Sequence, residues 1–230
     1  MLIKMIRTHG LTNGFRRFID EIVENRLFDI RHGVATAGIV TEQEFFTLIG
    51  QDPSEGANWY QPTYTSPLLK SCRFLRDRMA PHKPILFIDL GAGKGKPCII
   101  AAKTFSRCHV VGVDLSQHLL DICRDNLRKS KADFELRCQD VRDVDYPSLF
   151  KGYETVIVHN KNSFDRTITR DVLKKIEAAK GPGDLFYIYS NPIYKDLCSG
   201  YECLLTLDGW HRNLRLNIYK IVLTDCRASS

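Results

Sequence analysis

Ile85-Leu-Phe-Ile-Asp-Leu90-Gly-Ala-Gly-Lys-Gly95-Lys-Pro-Cys-Ile-Ile100-Ala-Ala-Lys-Thr-Phe105 reads as a buried strand, a glycine turn and a buried helix. From Ile85 to Leu90 the run is apolar apart from Asp89, which suits a central parallel strand covered on both faces. Gly91, Gly93 and Gly95 permit backbone angles and a close ligand approach that a Cβ would block. The helix opens at Lys96, accepts Pro97 in its first turn, and aims its unpaired N–H groups at the turn.

The spacing of the turn selects its ligand. A dinucleotide fingerprint is G-x-G-x-x-G, and its third glycine lets the helix pack closely on the strand. Here Lys96 holds that place and the third glycine comes one residue early, so the order is Asp89-x-Gly91-x-Gly93-x-Gly95. This resembles motif I of the class I S-adenosylmethionine (SAM) methyltransferases. The resemblance implies that Asp89 sits near the cofactor's amino group and that Leu90, Gly91, Ala92, Gly93 and Gly95 admit its methionine and ribose parts. A carboxylate suits an ammonium, which brings donors to satisfy, and does not suit a pyrophosphate.

Two further acids fall at strand ends. His109 to Leu115 reads as a second strand carrying Asp114 about twenty residues past the turn, where nucleotide-binding sheets present an acid to ribose hydroxyls. Phe134 to Asp140 is a third strand, and the resemblance places Asp140 and Val141 beside the adenine. Leu115 joins the same set. Three acids at successive strand ends are more specific than any one of them; the alternative for each is a solvated turn acid in an ordinary α/β domain.

Outward from this centre, Thr12 to Phe28 has Phe15, Phe18, Ile19, Ile22, Val23, Leu27 and Phe28 at helical spacing, which predicts an amphipathic cover ended by Arg31-His32-Gly33. A short helix is expected near Thr41 to Leu48. Asp52 to Thr65 is polar, contains Gly and Pro, and predicts a loop. Its Trp59-Tyr60-Gln61-Pro62-Thr63-Tyr64 is either a lid over the cofactor, with Tyr60 and Thr63 as contacts, or an aromatic plug on the core. Ser66 and Pro67 open a helix with Leu68, Leu69, Cys72, Leu75 and Met79 on one stripe. Later elements are a helix over Ser116 to Lys129, a short connector over Tyr146 to Phe150 and a strand over Tyr153 to His159. A helix over Thr167 to Lys180, stopped by Gly181-Pro182-Gly183, and a strand over Leu185 to Ser190 follow. Cys203 to Leu207 and Leu214 to Val222 form a closing strand pair around Asp208-Gly209. The fold expected is a Rossmann-like α/β class I methyltransferase fold, with a mostly parallel seven-stranded sheet, one antiparallel strand and helices on both faces. Residues 1–65 are expected to form a helical extension and lid, and 66–230 the SAM-binding domain.

Ligands in such sheets bind beyond the carboxyl ends of the strands, so His159-Asn160-Lys161-Asn162-Ser163-Phe164-Asp165 faces the reaction. The Asp/Asn-Pro-Pro-aromatic motif of adenine amino methylases is absent here, and so is the Pro-Cys of cytosine methylases; both absences count against DNA base methylation. Asn160 with Phe164 is similar to part of the pattern of histone lysine methyltransferases on this fold. Phe28-Asp29-x-x-x-Gly33-Val34, Tyr60-x-Pro62, the glycine turn and Tyr189-Ser190-Asn191-Pro192 together resemble a group of bacterial SAM methyltransferases. SAM is already activated, so the chain must align a nucleophile. An amine needs positioning, whereas a hydroxyl wants a base; His159 or Asp165 are candidates, with Asn160 orienting acceptor or cofactor. For each of the three the alternative is a polar residue satisfied by backbone.

Composition narrows the rest. The 230 residues are 43% hydrophobic and 26% charged, with net charge +6, which is ordinary for a globular chain with a large core. The basic residues are scattered rather than massed, as on a solvated surface and not a nucleic-acid face. Eight cysteines form no C-x-x-C pair; Cys98, Cys123 and Cys138 are expected in the core of a reduced, cytoplasmic protein. The histidines lack zinc-motif spacing. The start is too soon charged for a signal peptide or a spanning helix. The expected partners are SAM and an unidentified acceptor, with a small-molecule N or O atom first. A protein lysine or RNA acceptor, and a non-catalytic SAM-binding role, are the alternatives.

Overall fold

Strand β1 (Ile85–Leu90) is buried at every position, because apolar residues leave its two faces into separate cores. Leu86, Ile88 and Leu90 enter one core with Val111, Val158 and Tyr187. Ile85 and Phe87 enter the other with Ile99, Val110 and Ile157. Parallel neighbours flank β1: β2 (Cys108–Asp114) on one side and β4 (Thr155–Asn160) on the other, with Asp89 in register with Gly112 and His159. With β3 (Asp133–Cys138), β5 (Asp184–Ser190), β6 (Glu202–Leu207) and β7 (Leu216–Lys220), the order is β3-β2-β1-β4-β5-β7-β6. β7 runs antiparallel to both of its neighbours, β5 and β6. The order reverses direction between β1 and β4, which is where open α/β sheets leave a crevice at the strand ends.

This computed structural model describes residues 2–50, 56, 58–80 and 83–222. The helices in chain order are α1 (Leu2–His9), α2 (Leu11–Glu21), α3 (Leu27–His32), α4 (Glu42–Ile49), α5 (Thr65–Arg76), α6 (Lys96–Thr104), α7 (Gln117–Ser130), α8 (Tyr146–Phe150) and α9 (Arg166–Ala178). A π-turn, Ile22–Arg26, joins α2 to α3. The expected loop from Asp52 lies partly outside the described residues; from Asn58 to Tyr64 it is irregular.

Three expectations need correction. The segment from Leu11 to His32 is helical as read, and α1 precedes it, but its apolar stripe is split: Phe15, Ile19, Val23 and Leu27 are exposed, Phe18 and Ile22 are half-buried, and only Phe28 is buried, on the side that also carries Gly14, Glu24 and Asn25. The reason is polar. Glu24 accepts from the backbone N–H (2.7 Å) and hydroxyl (2.6 Å) of Ser66, and the π-turn turns two successive polar side chains inward. Ser66, expected to open α5, lies inside its first turn, and no side chain of the segment caps it; Glu24 satisfies that helix end from another element, which meets the same need for an acceptor. Cys138 is exposed, not core: it is the last residue of β3, an edge strand with no fully buried residue.

Candidate active site

Asp114 ends β2 and is buried, 7% exposed, which desolvates its carboxylate. Its Oδ2 accepts from Gly93 N–H at 2.8 Å and its Oδ1 from Ser116 N–H at 2.9 Å. Burial raises its pKa to about 6 against the pull of those donors, and Asp89 adds to the rise. Each oxygen keeps a further lone-pair direction. A cavity of about 280 Å³ opens beside it at the carboxyl ends of the strands.

From the sheet side, Gly91 and Ala92 line this cavity after β1, Asp114 and Leu115 after β2, and Gln139, Asp140 and Val141 after β3. Lys161 to Phe164 contribute after β4, and Asn191, Ile193 and Tyr194 after β5. Trp59, Tyr60 and Thr63 cover it from the irregular segment. The Tyr60 hydroxyl donates to the Thr36 carbonyl at 2.6 Å, and the Lys94 ammonium sits 5.0 Å from its ring centroid. The ring lies so close to Gly93 (φ 51°) that a Cβ there would come within 2.2 Å of it. Gly93 therefore serves the aromatic cover, and Gly95, whose Cβ would meet Cys123 Sγ at 2.4 Å, serves the packing of α6 on α7.

The structure separates the sequence-predicted residues into two groups. Tyr60, Thr63, Gly91, Ala92, Asp114, Leu115, Asp140 and Val141 border the cavity together. Asp89, Leu90, Gly93, Gly95, His159, Asn160 and Asp165 are not among its lining residues. Asp89 is 1% exposed and faces His159 Nδ1 at 2.7 Å, while His159 Nε2 lies 3.0 Å from Ser190 Oγ. This carboxylate–imidazole–hydroxyl chain ties β1, β4 and β5 together inside the sheet, and burial raises the Asp89 pKa although His159 opposes the rise. Asn160 accepts from Ser163 N–H at 2.9 Å and donates to the Tyr187 hydroxyl at 3.3 Å. Asp165 caps α9 by accepting from Ile168 N–H at 2.8 Å. Asp140 accepts a forked pair from Arg142 (3.1 and 2.6 Å to Oδ2). Burial alone would raise its pKa, but Arg142 outweighs burial and holds it below the usual value.

The other wall is cationic, and sequence reasoning missed it. Lys96, only 1% exposed, donates to the Glu24 carbonyl at 3.1 Å and to Asn25 Oδ1. Lys161 donates to the carbonyls of Gln61 (3.2 Å) and Pro62 (3.1 Å). Burial lowers Lys96 to about 8 and Lys161 to about 7, the latter pushed further by Lys96 and partly restored by Glu21. Asn162 and Asn191, also missed, hold positive φ of 47° and 51°, a backbone state that gathers at functional sites. The strand-end rule brings Lys161 and Asn162 into the reaction-facing stretch but gives them no role; nothing in the sequence announces that Lys96 turns back onto α2's extension.

Strand order, reversed last strand and a cavity at the switch point define the class: a methyltransferase fold of the nucleoside-binding α/β type. Residues 87–183 match a family model described as a methyltransferase domain, and the fold is that of Rossmann-like methyltransferases. An uncharacterised protein of Methanocaldococcus jannaschii is 26% identical over 126 residues, which is 50% of this chain and 54% of that protein. The chain thus spans about half the length of this curated relative. A putative RNA methyltransferase from Pyrococcus horikoshii aligns with TM-score 0.51 and 17% identity, covering 79% of this chain and 97% of that one. The glycopeptide N-methyltransferase MtfA, solved with SAM, aligns with TM-score 0.50 and 13% identity, covering 68% and 94%. These two likenesses are of fold.

The side chains present fit SAM. Asp114 has free acceptor capacity that would suit ribose hydroxyls, Val141 and Leu115 offer an apolar rim that would suit a base, and Lys96 would offset a carboxylate. When bound, the cofactor supplies an activated methyl group on a sulfonium.

Proposed function

We propose that the protein transfers a methyl group from SAM to an N or O atom of a small molecule. The observation that carries this reading is the polarised cavity, with Asp114 and Asp140 on one wall and Lys96 and Lys161 on the other. Asp114 would accept from the ribose hydroxyls and Asp140 with Val141 would border the base. The acceptor would enter between Trp59, Tyr194 and the ends of β4 and β5. Lys161, held near neutrality, is the lining residue suited to take the proton that an N–H or O–H acceptor releases. His159 has both ring nitrogens engaged inside the sheet, and Asp165, which caps α9 through Oδ1, does not line the cavity.

The test is to incubate the purified protein with methyl-labelled SAM and fractionated lysate, then separate the products by size. Label in a low-mass product supports the proposal. Label confined to protein or RNA replaces the acceptor class, and SAM binding with no labelled product in any fraction replaces catalysis with cofactor binding.

A further inference from the structure

The N-terminal helix carries large apolar side chains on its outer side as well as on the side that covers the protein. It runs without a break from Leu11 to His32 through the π-turn, about 30 Å at helical rise. Leu11, Phe15, Ile19, Val23, Leu27 and Ile30 form one outward stripe, each between 41% and 78% exposed. The four-residue spacing and the π-turn keep this stripe on one side, since a wider turn offsets the drift of an α-helix. A patch of this kind on a folded chain marks an interaction surface.

The charges say what kind. Among the described residues from 2 to 33, no acidic side chain is exposed, whereas Arg7, Arg16, Arg26 and Arg31 are. All four acids are drawn inward or held locally. Glu24 binds Ser66, Asp29 binds Thr36 and Ala37, Glu21 accepts from Asn25, and Asp20 is held by Arg16 and Trp210. What faces outward is therefore large apolar side chains among arginines. A second copy of this chain would bring arginines against arginines, and a nucleic acid has no use for six apolar side chains. A convex single-helix stripe also lacks the groove that a partner helix needs.

We propose that the Leu11–His32 segment docks on an anionic lipid surface, lying in the interface plane with its stripe among the acyl chains and its arginines at the headgroups. No helix among the described residues is long and apolar enough to cross a membrane, so the contact is peripheral. This proposal is independent of the acceptor, and its test needs no methyl transfer.

The experiment is vesicle flotation of the full chain with phosphatidylcholine alone and with added phosphatidylglycerol, at low and high salt. Binding to the anionic vesicles is expected, weakened at least tenfold by high salt and by the Phe15→Glu/Ile19→Glu double variant, and also lost in Arg26→Glu/Arg31→Glu. Because these side chains are exposed, cooperative thermal melting of each variant should match that of the parent. No flotation with anionic vesicles, equal binding to neutral ones, or flotation unchanged in both variants would overturn the proposal. So would a dimer in solution that Phe15→Glu/Ile19→Glu dissociates while vesicle binding is absent, which would make the stripe a subunit interface.

Discussion

Replacing Asp114 by asparagine keeps the shape of the side chain and removes its charge, and the two consequences separate binding from folding. In the folded chain both oxygens are engaged, by Gly93 N–H and Ser116 N–H. Asparagine retains one acceptor, so one of these buried donors loses its partner, at a cost of about 1–3 kcal/mol. Against this, the buried carboxylate that the variant lacks has its pKa raised to about 6. Near neutral pH the ionised form is therefore disfavoured by folding by about 3 kcal/mol, at roughly 1.4 kcal/mol per pKa unit. The two effects nearly cancel, and Asp114→Asn should unfold in urea within about 2 kcal/mol of the parent. Cofactor binding has no such offset. Ribose hydroxyls donating to a carboxylate are charge-assisted bonds, and losing the charge should cost about 3 kcal/mol, roughly 100-fold in Kd. Calorimetric titration with S-adenosylhomocysteine reads this directly. An affinity within about threefold of the parent, in a variant that folds, would refute the assignment of Asp114 to the cofactor, since a lost charged bond costs more than that.

Four further outcomes follow from the same geometry. Because the folded-state pKa of Asp114 is raised to about 6, the ligand-free chain should gain stability from this group as pH falls from about 6 to 4, while cofactor affinity falls over the same range; melting curves with and without S-adenosylhomocysteine would show the two trends diverge, and Asp114→Asn should abolish both. Gly93→Ala drives a Cβ to 2.2 Å from the Tyr60 ring, so the ring must leave; a loss of about 1–3 kcal/mol of stability is expected, with the fluorescence or ring NMR signals of Tyr60 shifted, and unchanged signals would argue against the contact. His159→Leu leaves Asp89 buried without its imidazole, a loss of about 3–5 kcal/mol in urea denaturation, whereas a loss below 1 kcal/mol would mean that the pair adds little. Lys161→Met keeps the stem and removes the amine; it should retain S-adenosylhomocysteine binding within about tenfold and lower label transfer by at least about 100-fold, and full transfer would remove Lys161 from proton handling.

The parts of this protein that were legible in its residues are those set by local chemistry. The apolar run of β1, the three glycines and an acid at the end of β2 are dictated by neighbours in sequence: a strand buried on both faces must be continuously apolar, and a sharp turn needs positive φ. So the fold class, the position of the turn and the cavity-lining place of Asp114, Asp140, Tyr60 and Thr63 could be read without coordinates. What the chain order hides is which side of an amphipathic segment faces in. Periodicity finds two faces on Leu11 to His32 and assigns the apolar one to the core, yet the need of α5's N-terminus and of Lys96 for acceptors turned Glu24 and Asn25 inward and left Phe15, Ile19, Val23 and Leu27 outside. Likewise His159 and Asp89 are 70 residues apart, and only the pairing of β1 with β4 commits them to one another rather than to a ligand. Hydrogen-bond demand between distant elements, which no local window carries, made those decisions.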